Sequence, residues 1–254
     1  MGAPLQWRHG IHLCVMSAEA EEILAELAVV SRERELRKVD ARLGAATVAI
    51  KQYQQARFSR TYADLLGSPR YAAASRFFLE ELYGPKDFTD RDSQFARVVP
   101  GMVRLFPREL VRTVAVLARL HALSETLDTA MARHVAGRAV ERLTYVEAWQ
   151  FVGRPEAREA QIRLTVSVGE DLDRLTRKPL LRTTLHLMRG PARAAGLSAL
   201  QQFLETGFDT FKDMNGASEF LSIVGSRERA LAAALFSPLP VGSVEPSPFL
   251  GQLP

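Results

Sequence analysis

His121, Glu125 and Asp128 stand at i, i+4 and i+7, so a helix through them projects an imidazole and two carboxylates from one face. Ser124 joins them, and the four make a polar line through an otherwise apolar segment. Residues of these types can share a metal ion, border a ligand pocket, or pass a proton between imidazole and carboxylate. One helix supplies only part of a coordination shell. The Glu-x-x-His pairs of di-iron bundles, HExxH and Cys–His spacings are all absent. The plainer alternative is a buried histidine satisfied by its neighbours, with the acids reaching solvent or an arginine.

His186, in LHLMRG, lies between apolar residues. With His121 it is a candidate axial haem ligand, and any haem would be non-covalent because no Cys-x-x-Cys-His site exists. Arg91, Asp92 and Arg97 crowd the Phe88 turn with Asp87 and Asp90, a density of charge that either receives an anion or pins a helix start through exposed ion pairs. Tyr83, at the Gly84-Pro85 stop, and Arg91 complete the ligand-pocket candidates. Nucleophile elbows, phosphate loops and GxGxxG are missing, so no reaction class is indicated.

The elements that must carry these residues read as helices throughout. Ser17 is a candidate N-cap for a helix with Ile23, Leu27 and Val30 on one stripe. Thr89 and Asp92 read as a capping box, and Pro100 as a kink or division in the helix that follows. Pro107 opens a long helix to about 136, apolar over so wide an arc that it belongs at the centre. Gly137 ends it, Pro155 opens another to about Thr176, and Gly190-Pro191 stops a short one begun at Pro179. No strand alternation of useful length appears. The fold class is therefore all-α, a single-domain multi-helix bundle of about eight to ten helices around the central helix at 107–136.

Leu36, Val39, Leu43, Ala46, Ile50 and Tyr53 recur at spacings of three and four, a seam that predicts packing on the domain or self-association as a homodimer. Residues 32–60 carry Arg32, Arg34, Arg37, Lys38, Arg42, Lys51, Arg57 and Arg60. Such a helix either presents a solvated outer face or lies on nucleic acid or an anionic membrane. The outer face is favoured because no aromatics line the basic side as stacking platforms.

The whole chain adds modest bounds. Its 254 residues can bury a substantial core, and 33 Lys and Arg against 29 Asp and Glu leave a net charge of +4, which permits acidic partners without demanding them. The lone cysteine, Cys14, rules out an internal disulfide framework and points to a reducing cytoplasm. Residues 1–16 lack a signal peptide's apolar core and are expected to be disordered or a non-native extension. The helical domain is expected over 17–236, with a Pro-rich disordered tail over 237–254.

The stretches FFLEELYGPKDFTDRDSQFARVVP, FPREL and HALSETLDTAMA resemble a family of uncharacterised helical proteins from proteobacteria, and LHLMRGPARAAGLSALQQFLETGFDTFKDMNGASEFL follows the same pattern. That resemblance covers most of 17–236 and implies no activity. The sequence thus reads as a non-catalytic helical protein that binds a ligand or partner. Haem or metal binding through His121, and anionic lipid or nucleic-acid binding through 32–60, are the alternatives.

Overall fold

The computed structural model describes residues 17–82, 85–86, 88–237 and 250–254. Every element among them is helical. Helix α1 (Ala18–Val39) starts where the Ser17 hydroxyl accepts the Ala20 N–H at 3.3 Å, and it buries Ala20, Ile23, Leu27 and Val30 on one stripe. Asp40 then breaks the chain. Its backbone N–H still closes α1 onto the Leu36 carbonyl, while its carboxylate accepts the N–H groups of Arg42 and Leu43 at 3.0 and 3.1 Å and so caps α2 (Ala41–Thr61). A Cβ on Gly44 would lie 2.8 Å from the Arg37 carbonyl oxygen, so only glycine lets the end of α1 and the start of α2 pass this closely.

Two short helices, α3 (Ala63–Gly67) and α4 (Ala72–Phe77), lead into a π-helical turn at Phe78–Leu82. Next come α5 (Thr89–Leu105), which runs unbroken through Pro100, and α6 (Arg108–Val135), the longest helix. Gly137, at φ 85°, turns the chain out of α6 in the left-handed region. Helices α7 (Arg142–Val152), α8 (Pro155–Thr176), α9 (Pro179–Leu187), α10 (Arg189–Ala194), α11 (Ser198–Asp213) and α12 (Ser218–Phe236) complete the bundle. Helix α6 is its axis and packs on α1, α2, α5, α7 and α8.

Four sequence expectations are corrected here. The 36–53 seam is not one surface: Asp40 divides it, and Leu43, Ile50 and Tyr53 are buried in the chain's own core with Met131, Val135 and Tyr145. Leu36 and Val39 are left exposed, so the residues proposed for self-association do not share a face that a partner could cover. The charged segment 32–60 is an outer face only in part: Arg32, Lys38, Arg42 and Arg60 are exposed, but Arg34, Arg37, Lys51 and Arg57 turn inward to carboxylates. The short helix begun at Pro179 does end nearby, at Leu187, but Gly190-Pro191 is not its stop: the pair lies in the first turn of α10, where proline's missing N–H costs little. The disordered tail does not extend to 250–254: Leu250 and Leu253 are buried against α2, α7 and α12, and Arg60 donates to the Leu253 carbonyl at 2.8 Å.

Because Leu253 is fully buried, Leu253→Ala is expected to cost about 2–5 kcal/mol in chemical denaturation. Leu180→Ala, at a side chain 77% exposed, is expected to stay within about 0.5 kcal/mol of the parent. Equal, small losses for both would mean that the C-terminal segment does not fill the core.

Candidate functional site

The inward face of α6 opens on a cavity of about 140 Å³, lined along this helix from Val114 to Asp128 and walled by α2, α5, α7, α8, α11 and α12. His121, Ser124, Glu125, Asp128 and Arg91 all line it. His186 does not; it lies part-exposed on α9, away from His121. Tyr83 is outside the described residues.

Glu125 is the anchor. Its side chain is only 4% exposed, and its carboxylate pairs with Arg37 of α1 and with Lys51 of α2, the latter at 2.6 Å. Arg37 also donates to the Glu125 carbonyl at 2.8 Å and to Thr129 Oγ1 at 2.6 Å. Burial pushes the Glu125 carboxyl up, but Lys51 and Arg37 outweigh it and hold the pKa at about 2.

One turn earlier, His121 Nε2 lies 2.7 Å from Asp92 Oδ2, and Arg34 Nη2 reaches the same oxygen at 2.7 Å. Asp92 is thus not the helix cap expected of it. Phe88 occupies the cap position of α5, and the Asp92 carboxylate turns into the bundle. Burial raises its pKa, but the hydrogen bond and charge of His121, then Arg91 and Arg34, bring it to about 2. An ionised carboxylate can only accept, so Nε2 carries the proton of this pair. That nitrogen is therefore closed to a metal or a haem iron. Among the described residues no group of three or more His, Cys, Asp or Glu is placed to hold a metal ion. A cavity this size compares with the roughly 150 Å³ that admits a benzene, far from a haem's bulk.

The charge cluster at the Phe88 turn separates. Arg97 donates to the Gly196 carbonyl at the surface. Arg91 is drawn inward, with its guanidinium 3.9 Å from the Phe88 ring centre and 4.5 Å from that of Phe203. Its charge faces Asp92 and Glu81, the latter supplied by the π-helical turn. Burial pulls its pKa below the ordinary value against both acids.

At the other end, Asp128 accepts from Gln54 Nε2 at 3.0 Å. Burial pushes its carboxyl above the ordinary value despite Lys51, and ionised Glu125 adds to the rise. Beyond it, Arg158 rests 3.8 Å from the Trp149 ring centre and donates to Gln161, which donates in turn to Ser124 Oγ at 2.8 Å. Arg57 pairs with Glu228 at 2.5 Å, and the Tyr62 hydroxyl donates to the same carboxylate at 2.7 Å.

Sequence reasoning missed Arg34, Arg37, Lys51, Gln54, Arg57, Trp149, Arg158 and Glu228 as parts of this site, and placed Asp92 in a capping box and in the charge cluster of the Phe88 turn, not beside His121. A usable signal existed for two of them: Gln54 stands four residues after Ile50 and Arg57 four after Tyr53, so both share their inward side.

Removing Glu125 strands two buried cations, so Glu125→Gln is expected to lose about 3–5 kcal/mol of stability at neutral pH. In the parent, Asp92 and Glu125 titrate below their unfolded values of 3.8 and 4.5. Their stabilisation is therefore complete above about pH 4.5 and lost as pH falls towards 2. The Glu125→Gln variant should show a shallower acid loss over that window, and parallel curves would refute the pairing. Asp128 has the opposite sign: its raised folded pKa costs stability as pH climbs past 3.8. Asp128→Asn, which keeps the acceptor for Gln54, is expected to melt above the parent at pH 7, with the gain shrinking towards pH 4. An unchanged melting temperature at pH 7 would contradict this.

No curated protein and no solved structure matches the chain. A family model does match, over residues 33–240, a span that includes the whole of α2 to α12 and the charged residues that border the cavity. The chain belongs to the family described as Domain of unknown function (DUF8198).

Proposed function

We propose that this chain is a non-catalytic binding protein that encloses a small amphipathic molecule in the cavity beside α6. One observation carries the reading: the cavity walls hold ion pairs and aromatic faces together. Fixed pairs such as Glu125 with Lys51, and Asp92 with His121, line up with apolar side chains of Phe95, Phe203, Leu200 and Leu231. A cavity made only by imperfect packing would be apolar and dry, whereas an apolar pocket with a few convergent polar groups is the usual form of a ligand site. The polar groups are also held in place before any ligand arrives, which lowers the ordering cost of binding.

Trp149 borders the cavity and serves as a reporter once Trp7, the other tryptophan, is replaced by phenylalanine. Titration of Trp7→Phe protein with octanol, octanoate and octylammonium is expected to give a saturable change in Trp149 emission for at least one of them. No saturable response to any of the three, with no heat of binding by calorimetry, would overturn the cavity-binding reading.

A further inference from the structure

Polar atoms of the cavity wall that lack a protein partner are of two kinds. Trp149 Nε1 is fully enclosed by its neighbours, so it does not open on the space. Three oxygens differ. Gln54 Oε1, Asp128 Oδ2 and the Tyr145 hydroxyl have no hydrogen-bond partner among the described residues, yet none of them is enclosed in that way. Their residues are only 8%, 6% and 1% exposed and all line the cavity, so the surface these oxygens keep opens onto it. Unmet polar groups in so buried a setting call for an explanation, and a bound molecule is one.

The three oxygens share one end of the cavity. Gln54 Nε2 donates to Asp128 Oδ1 at 3.0 Å, which sets the amide beside the carboxyl. Burial raises the pKa of the Tyr145 phenol against Arg57 and Arg158, and the neighbouring Asp128 and Glu228 add to the rise. The phenol is therefore an O–H with a hydrogen to give. Gln54 Oε1 can only accept. Asp128, which burial and ionised Glu125 hold towards its acid form, can do either. The end thus lacks a hydrogen and a lone pair together.

A hydroxyl brings both on a single atom. Charged head groups bring one kind only. A carboxylate would face Gln54 Oε1 with nothing to donate, and an ammonium would add a cation beside Lys51 and Arg57. Neither finds an unmatched counter-charge, because Lys51 is paired with Glu125, Arg57 with Glu228, and Arg158 is engaged by Gln161 and the Trp149 face. About 140 Å³ is spread along α6 from Val114 to Asp128, roughly 21 Å at the helical rise, so the body of the ligand must be narrow.

Building on the cavity-binding reading, we infer that the ligand is a slender neutral alcohol, its hydroxyl seated among Gln54 Oε1, Asp128 Oδ2 and the Tyr145 O–H and its apolar body running along α6 towards Leu117 and Phe95.

The test is calorimetric titration of the full chain at pH 7 with octanol, octanoate and octylammonium, which share a body and differ in the head group. Octanol is expected to bind at least tenfold more tightly than either ion. An apolar space alone would also prefer octanol, so two variants decide the seat. Tyr145→Phe removes an O–H that no described residue accepts and keeps the ring; it should weaken octanol at least fivefold while its circular dichroism spectrum stays native. Asp128→Asn keeps an uncharged group that can both give and take, and its octanol affinity should stay within about twofold of the parent. Either ion binding as tightly as octanol would overturn the alcohol assignment and leave the cavity reading intact. Unchanged octanol affinity in Tyr145→Phe would overturn it too, since the polar end would then hold ordered water only. A tenfold loss in Asp128→Asn would overturn it by showing that an ionised Asp128 is required. Failure of all three probes to bind would instead remove the cavity reading and this inference together.

Discussion

The structure depends on one carboxylate gripped by two helices. In a single straight helix, Arg37 and Lys51 would stand about 21 Å apart and could never meet on one side chain. The break at Asp40 folds α2 back along α1, and both cations then reach Glu125 on α6. Asp40 as a cap, Gly44 as a point of close passage and Glu125 as the shared anion are parts of one arrangement. Each fixes where three helices lie relative to one another.

Clusters of this kind contribute little net stability, since apolar residues of similar volume often do as well. Their effect here is on the character of the cavity wall. Each charge that borders the space is also tied to a partner from another helix: Asp92 to Arg34, Glu125 to Arg37, Glu228 to Arg57. The wall is therefore polar and yet rigid. Water or a ligand meets groups whose directions are already set, in contrast to surface lysines that must be ordered on contact.

Much of the helical framework was legible, because helix boundaries are written locally. Pro107, Gly137 and Pro155 mark the ends of α6 and the start of α8 within a residue or two. The polar line His121–Ser124–Glu125–Asp128 could be placed on one face from spacing alone. Its partners could not. Arg57 meets Glu228 across 171 positions and Lys51 meets Glu125 across 74, and even where spacing puts Arg57 on the inward side of α2, nothing local names the carboxylate it will meet. Asp92 misled for the same reason: its spacing from Thr89 fits a capping box, but a carboxylate offered a histidine and an arginine in a buried setting does better by turning inward. The seam at Leu36–Tyr53 failed because Asp40 breaks the helix inside an unbroken apolar rhythm.

The return of residues 250–254 to the core affects how the chain is made as well as how it holds together. Tyr53 donates to the Pro254 carbonyl across 201 positions, and Leu250 and Leu253 fill a seat formed by α2, α7 and α12. Contacts this distant in sequence are late events, since the intervening chain must first be ordered. During synthesis the helices of that seat exist while their last neighbours are still unmade, and an apolar groove faces the cell. A nascent chain paused shortly after α12 would expose that groove for as long as the pause lasts, which makes this interval the one in which chaperone contact or misassociation has the most to act upon.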